Sequence, residues 1–325
     1  MSLSPRRTLL AAVTVALTSL ALGALPAHAD GPAAPQAAGS SKVAPYIDIT
    51  FDHPTLAEAA NATGQKTYTL AFVLGSSSGC DPSWGGTIPL NDSRIIGEIS
   101  DLRSMGGSVI VASGGAAGPY LESLCGSADA LAGAYEQILD ATGATGLDLD
   151  IEASIDNDMV NQALARLEAA RPDVTVSYTL RVTSDDYGLD PSAVAILQSA
   201  KAQGTRVDIV NPMTMDFGSS REWGDAVVTA AQSTLGQIQQ VWPGSTAAKL
   251  GVTPMIGHND TGPVFSIADA DKLLSWAEQN HVGRLAFWSA GRDNGSCPNG
   301  GVSPTCSGIP QSDYQFTNIF AGYSG

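Results

Sequence analysis

Basic residues are scarce in this 325-residue chain, which carries 16 lysines and arginines against 32 aspartates and glutamates. The formal net charge at pH 7 is −16, and such a charge repels the phosphate backbone of nucleic acids. Aromatic residues are also few, at 6% of the chain, so long tracks of stacking rings are not expected. Nucleic acid is therefore excluded as a partner, and a neutral polymer or small neutral ligand fits the composition better.

Only four cysteines are present, and neither a Cys-x-x-Cys pair nor a histidine cluster accompanies them. A metal site is the alternative to disulfides. Structural zinc sites are typically built from closely spaced Cys and His ligands, which this chain lacks, so no metal is predicted. An even number of cysteines is typical of disulfide-bonded exported proteins. Four cysteines allow three pairings, of which proximity in sequence favours Cys297–Cys306 and leaves Cys80–Cys125.

One long apolar run is present, at residues 8–25, and no second one follows it. Arg6 and Arg7 precede the run, and residues 27–29 (Ala-His-Ala) form a small-x-small cleavage site behind it. This order predicts a secretory signal peptide over residues 1–29. A transmembrane anchor is the alternative, but the proline and small residues after the run disfavour it.

The rest of the chain divides into a short linker and one long domain. Residues 30–43 are rich in Ala, Gly, Pro and Ser, and predict a flexible linker. Residues 44–325 are too many for most single β-sandwiches and suit one α/β barrel. They contain no long apolar run, so we expect the mature protein to lie outside the membrane. The signal peptide predicts that it is secreted and extracellular, and we expect a monomer.

Short β-branched and apolar runs alternate with longer Ala- and Leu-rich segments along this domain. The predicted strands lie at residues 46–51, 67–74, 107–115, 145–152, 174–180, 206–215, 249–257 and 284–290. Helical patterns between them include residues 128–143, 157–171, 191–204, 226–242 and 268–281. Parallel strands that alternate with helices predict an α/β fold, a (β/α)8 TIM barrel, with an open doubly wound sheet as the alternative. No Gly-x-Gly-x-x-Gly follows the first strand, which disfavours a dinucleotide fold, and no cofactor is expected.

The fourth predicted strand contains the sequence TGLDLDIE, in which Asp148, Asp150 and Glu152 alternate with large aliphatic residues. Successive side chains of a strand point to opposite faces, so the three carboxylates share the face toward the barrel axis. Neighbouring carboxylates in a low-dielectric barrel cannot all ionise readily, so one of them keeps a proton near neutral pH. Glu152, nearest the mouth, is the expected proton donor. A calcium site and a solvated acidic strand are the alternatives.

On these residues the chain resembles glycoside hydrolase family 18, the chitinase family. The fourth-strand signature of that family is Asp-Gly-x-Asp-x-Asp-x-Glu. It is matched at Gly146, Asp148, Asp150 and Glu152, while Thr145 replaces the first aspartate. The third-strand sequence ASGG is similar to the family's Ser-x-Gly-Gly. The resemblance is nearest to the bacterial chitinase D branch.

Two further segments carry the same resemblance. The sixth-strand sequence NPMTMDFG resembles the family's Met-x-Tyr-Asp and matches it at Met213 and Asp216. Met215 replaces the family tyrosine that holds the substrate's acetamido carbonyl, and the next aromatic is Phe217. The eighth-strand sequence FWSAGRDN resembles the segment with the family's substrate-floor tryptophan, here Trp288. These residues are therefore expected to bind substrate.

The resemblance implies a retaining mechanism in which the substrate's own 2-acetamido oxygen attacks the anomeric carbon. Glu152 would protonate the leaving oxygen and later act as base on water. Asp150 would orient the acetamido group, and Asp148 would hold Asp150. Tyr178 or Asn211 is expected to supply the hydrogen bond that the missing family tyrosine would have donated.

The implied function is that of a secreted chitinase acting on chitin or chitooligosaccharides. An endo-β-N-acetylglucosaminidase on N-glycans and a non-catalytic chitin-binding protein are the alternatives, although the retained Glu152 favours an enzyme. About two dozen residues separate Asp260 from Arg284, too few for the small α+β domain that deep-cleft family members insert there. A single catalytic domain with endo-type cleavage is therefore expected. The resemblance also implies non-proline cis peptides at Ala71–Phe72 and Trp288–Ser289.

Overall fold

A closed barrel of eight parallel strands forms the centre of the computed structural model, which describes residues 42–297 and 300–325. The predicted signal peptide and nearly all of the predicted linker lie outside the described residues. In chain order, barrel strands one to eight are Tyr46–Asp48, Thr67–Ser76, Ser108–Gly114, Gly146–Ile151, Thr175–Ser184, Ile209–Met213, Gly251–Val252 and Arg284–Leu285. Each overlaps one predicted strand, and the predicted (β/α)8 barrel is confirmed.

The barrel closes through hydrogen bonds between the two segments that contain its first and last strands. The N–H of Ala44 donates to the carbonyl of Leu285 at 2.9 Å, and that of Tyr46 donates to Phe287 at 3.1 Å. Closure leaves no open sheet edge, so the doubly wound alternative is wrong.

Helices surround the barrel. They are α1 (Leu56–Thr63), α2 (Ser93–Ser104), α3 (Leu121–Leu124), α4 (Ala128–Thr142), α5 (Asn157–Ala170), α6 (Pro191–Gln203), α7 (Trp223–Val241), α8 (Ile267–Asn280) and α9 (Gln315–Phe320). Polar residues fix several of their starts: Thr55 forms a capping box with Glu58 at α1, and Asp190 caps α6 just before Pro191. Among the described residues, no helix is both long and apolar enough to cross a membrane.

Packing against the helices determines which face of strand four carries the carboxylates. Leu147 and Leu149 point outward and are fully buried in the core, together with Ile138 of α4 and Leu164 of α5. Each buried leucine stabilises the fold by about 1.5–3 kcal/mol relative to an exposed one. A one-residue slip of the strand would turn these leucines toward the axis, so the acidic residues are locked facing inward.

Both predicted disulfides are confirmed. Cys80 is bonded to Cys125, with their Cα atoms 4.7 Å apart, and Cys297 is bonded to Cys306, with Cα atoms 6.1 Å apart. The first links α3 to a hairpin that follows strand two. That hairpin comprises the strands Gly79–Trp84 and Ile88–Pro89.

The connection from strand seven to strand eight is short. It contains the antiparallel pair Gly257–His258 and Val264–Phe265, followed by α8. All residues between the two barrel strands are described, and they include no inserted α+β domain, as predicted. The remaining short elements are the strand Gly188–Leu189 and the 3-10 turns Ala247–Lys249 and Ala290–Arg292.

Candidate active site

A cavity of about 600 Å³ opens at the carboxyl ends of the barrel strands. This is the end at which barrel enzymes place their active sites. The structure brings six of the predicted site residues together in its wall. They are Asp150, Glu152, Met213, Met215, Asp216 and Trp288.

Asp148 lies below the cavity, inside the barrel, and is 2% exposed. Its Oδ2 accepts hydrogen bonds from the hydroxyls of Tyr46 at 2.6 Å and Thr179 at 2.9 Å, and its Oδ1 accepts one from Ser177. Arg284 is also buried and donates to the Ser177 hydroxyl at 3.1 Å. Burial raises the pKa of Asp148, while the hydrogen bonds and the Arg284 charge oppose that rise. Asp148 is therefore held in a fixed, fully bonded position.

Asp150 occupies the next inward position and reaches the cavity wall. Its pKa lies well above the usual value, because burial disfavours its charge and the carboxylates of Glu152 and Asp148 repel it. Its Oδ1 is buried and has no hydrogen-bond partner among the described residues. Such an atom is costly to leave unpaired, so it is suited to a polar group of a bound ligand.

Glu152 stands partly exposed at the end of strand four. Burial is the largest influence on its pKa and raises it. Arg181 opposes this effect, whereas the carboxylates of Asp216 and Asp260 add to it. A carboxyl group with a raised pKa keeps its proton at higher pH, which is what a general acid requires. Burial and the neighbouring carboxylates therefore account for the raised pKa that the sequence predicts for this strand.

Three aromatic rings form one side of the cavity. The rings of Phe72 and Trp288 are stacked, with centroids 5.6 Å apart and an angle of 16° between their planes. Tyr46 lies 6.1 Å from the Trp288 centroid and joins them. The two cis peptides expected at Ala71–Phe72 and Trp288–Ser289 are confirmed. A flat apolar surface of this kind suits the face of a sugar ring.

The end of strand six supplies the opposite wall. Met213 and Met215 line the cavity, and Asp216 stands beside them with its Oδ1 accepting from the Thr261 N–H at 3.0 Å. Burial raises the pKa of Asp216, and hydrogen bonding to Thr261 opposes that rise. Phe217 points away from the cavity and packs on Trp223, with ring centroids 4.7 Å apart.

Tyr178 does not reach the cavity, so the prediction that it binds substrate is wrong. Its neighbours Ser177 and Thr179 face the barrel axis, and the alternation of strand five turns Tyr178 toward the helices. There it is fully buried, and its hydroxyl donates to Asn161 Oδ1 of α5 at 2.8 Å.

Asn211 does face the barrel interior, but it lies outside the cavity wall and is 2% exposed. Its Nδ2 donates to the Thr179 hydroxyl at 3.1 Å and to the Thr253 hydroxyl. The prediction of direct substrate contact is therefore wrong, and Asn211 instead supports two residues of the wall. Neither Tyr178 nor Asn211 replaces the donor that Met215 lacks.

Several residues of the site were not predicted. Tyr46 and Phe72 line the cavity from strands one and two, and Thr179 and Arg181 line it from strand five. The strand-five residues had a signal in the sequence, because Thr179 and Arg181 continue the inward alternation that begins at Ser177. Phe72 had an indirect signal in the cis peptide that the resemblance implies before it. Tyr46 had none, since nothing in a short apolar strand distinguishes a cavity ring from a core ring.

The charges around Glu152 predict opposite pH responses from two variants. Removing the guanidinium in Arg181→Met should raise the pKa of Glu152 and move the alkaline limit of activity to higher pH. Removing a carboxylate in Asp260→Asn should lower that pKa and move the limit to lower pH. Profiles of kcat against pH at low salt would measure both, with the distant, exposed Asp313→Asn as control. Shifts in the same direction would contradict this assignment.

No family model matches the chain. A probable bifunctional chitinase/lysozyme of Escherichia coli is 31% identical to it, over 86% of this chain and 34% of that protein. Endochitinase 11 of Metarhizium anisopliae is 30% identical, over 77% of this chain and 52% of its own length. The chain thus spans about a third and about half of these two relatives.

The chain is also similar to a solved structure over nearly the full length of that structure. The catalytic domain of a hyperthermophilic chitinase from Pyrococcus furiosus is 39% identical and superposes with a TM-score of 0.80, covering 87% of this chain and 96% of that one. The barrel fold and this likeness together place the chain in the glycoside hydrolase class. The chain belongs to glycoside hydrolase family 18, the chitinases. Its narrower resemblance to the bacterial chitinase D branch stays a prediction.

Proposed function

We propose that this protein is a secreted chitinase that hydrolyses β-1,4 linkages between N-acetylglucosamine units with retention of configuration. The observation that carries the proposal is the buried, unpartnered Oδ1 of Asp150 beside the raised-pKa acid Glu152, in a cavity with stacked rings. The names of the three relatives support the same substrate class. Two disulfides support export, because such bonds persist in oxidising compartments.

In the first step, the carbonyl oxygen of the substrate's 2-acetamido group forms a bond to the anomeric carbon. The bond from that carbon to the leaving oxygen breaks, and Glu152 donates its proton to that oxygen. The free Oδ1 of Asp150 accepts the acetamido N–H and its carboxyl group offsets the positive charge that develops on the ring. Water then attacks the same carbon and gives a proton to Glu152, while the bond from that carbon to the acetamido oxygen breaks and restores the free acetamido group. Two displacements at one carbon retain its configuration.

The stacked pair Phe72 and Trp288 would support the apolar face of the sugar at the cleavage site. Asp148, held by three hydroxyl groups, would fix Asp150 from below through repulsion and limited space. Preorganised groups of this kind need no rearrangement when charge develops, which is the main source of their catalytic effect.

A direct comparison of substrates tests the proposal. The purified protein should cleave chitotetraose and release products in the β configuration, and it should leave a high-mannose glycoprotein intact. Cleavage of the glycoprotein core instead would favour the endo-β-N-acetylglucosaminidase alternative. Binding of chitotetraose without cleavage would favour a non-catalytic sugar-binding protein.

The open form of the cleft predicts how a polymer is cut. No domain is inserted between strands seven and eight to roof the cavity at the carboxyl ends of the strands. Internal segments of a chain can then enter and leave freely, so we expect endo-type, non-processive cleavage of soluble or amorphous chitin. Product analysis at early times measures this. Dimers as the dominant first product from crystalline chitin would contradict it.

A further inference from the structure

A side-chain hydroxyl is inserted into the last rung of the hydrogen-bond ladder between the main chains of strands three and four. The N–H of Gly115 donates to the carbonyl of Asp150 at 2.8 Å, as in a regular parallel ladder. The next regular bond would run from the N–H of Glu152 to the carbonyl of Gly115. The hydroxyl of Tyr120 lies between these two groups instead. It accepts from the Glu152 N–H at 3.0 Å and donates to the Gly115 carbonyl.

The two strands approach closely just below this rung. Gly114 has a φ of 107°, and a Cβ atom at this position would lie 2.0 Å from the carbonyl oxygen of Asp150. Only glycine fits such a conformation and such an approach. The strands are therefore in direct contact at Asp150 and separated by one hydroxyl group at Glu152.

Tyr120 is itself firmly held. It is 4% exposed, and the carbonyl of Pro119 before it accepts the N–H of Gly75 at 2.9 Å. The helix α3 follows immediately, and the next residue after it, Cys125, is bonded to Cys80. A hydroxyl on so constrained a segment acts as a spacer of fixed position.

A buried carboxyl group adds a second anchor to α3. Glu122 is 1% exposed, and its Oε1 accepts from the hydroxyls of Ser113 and Tyr135, both at 2.7 Å. Ser113 belongs to strand three, so this contact ties α3 to the strand that borders the rung. Nothing in the proposed chemistry uses Glu122, and its place explains why the segment carrying Tyr120 is rigid.

We propose that Tyr120 is a positioning residue for Glu152. Its hydroxyl, inserted into the sheet, sets the distance of the Glu152 main chain from strand three and thereby the direction in which the acid projects into the cavity. The inference rests on the proposed function, because it assigns Tyr120 to the acid step. Tyr120 is not part of the cavity wall, so it acts through Glu152 and not on the sugar.

Tyr120→Phe tests this role by removing the hydroxyl alone. The rung then either closes directly, which moves the main chain of Glu152, or leaves an N–H and a carbonyl unpaired. A displacement of about 1 Å from the productive geometry can lower a rate by 10²-fold. We expect kcat on chitotetraose to fall by roughly 10- to 100-fold while KM changes less than about twofold, because the cavity wall is intact.

Tyr323→Phe is the matched control. Its hydroxyl is also buried and donates to a main-chain carbonyl, that of Val282, far from the site. It should lower the melting temperature and leave kcat at the wild-type value. A wild-type kcat in Tyr120→Phe, an equal rise in its KM, or failure of that variant alone to fold would each overturn the positioning role. Wild-type cleavage in the same assay tests the proposed function separately.

Discussion

Glu152→Gln should lower kcat by about 10²–10⁴-fold and leave the fold and sugar binding intact. Glutamine has nearly the same shape as glutamate, but it cannot transfer the proton that the leaving oxygen needs. Burial raises the pKa of Glu152, so its ionised form is disfavoured in the folded state and a neutral amide should not destabilise the fold. Initial rates on chitotetraose and calorimetric binding of the same sugar measure the two expectations.

The matched control is Glu278→Gln, an exposed position on α8, which should keep wild-type activity. Retention of more than about a hundredth of wild-type activity in Glu152→Gln would remove Glu152 from the acid role. A loss of sugar binding together with the rate would assign the residue to substrate recognition instead.

Strand four shows what a sequence of this kind can predict. Its carboxylates and leucines alternate within eight residues, so local periodicity alone gives both the inward face and the position of the acid. Helix α6 is another case of local information: Asp190 and Pro191 mark its start, and the glycine at position 204 marks its end. Features encoded within one element were therefore predictable.

The partners of those carboxylates were not predictable, because barrel closure brings them from distant elements. Tyr46 is 102 residues from Asp148 in sequence, and Arg284 is 107 residues from Ser177. Tyr178 shows the converse error: an aromatic with a hydroxyl resembles a ligand in sequence, but one step of strand alternation places it among the helices.

Strand ends were also uncertain for a physical reason. The seventh strand was predicted over residues 249–257 but is regular only at Gly251–Val252. Pro254 has no N–H to donate, so the ladder breaks there. Isolated bridges at Thr253 and Met255 continue the contact with the neighbouring strands. The direction of the chain is kept while its regular hydrogen bonding is lost.

The second prediction concerns replacement of a carboxylate by an amide at Asp148 and at Asp150, which occupy consecutive inward positions of strand four. Asp148 accepts three hydrogen bonds and faces the buried Arg284, whereas Asp150 has an unpaired oxygen and two repelling neighbours. The same change from carboxylate to amide should therefore have opposite effects on the fold at these two positions.

Asp148→Asn should destabilise the protein. Loss of the negative charge leaves the guanidinium of Arg284, which is 3% exposed, without its nearest counter-charge. The two charges are linked through the Ser177 hydroxyl, and weakening the hydrogen bonds of a buried charged group costs about 1.5–3 kcal/mol. For a domain of this size we expect the melting temperature to fall by roughly 5 °C. Thermal unfolding at neutral pH measures it.

Asp150→Asn should instead raise the melting temperature at neutral pH while lowering kcat by about 10²–10³-fold, because the group that offsets the developing positive charge is lost. The folded-state pKa of Asp150 lies above its unfolded value, so ionisation destabilises the fold as pH rises above about 4. Asparagine removes that penalty.

The stabilising effect of Asp150→Asn should thus vanish near pH 3, where the carboxyl group is protonated in both the folded and the unfolded state, and grow toward neutral pH. Melting temperatures of the two variants and of the wild type, measured between about pH 3 and neutral pH, test this prediction. A fall in stability for Asp150→Asn at neutral pH, comparable to that of Asp148→Asn, would mean that Asp150 is held by partners as firmly as its neighbour.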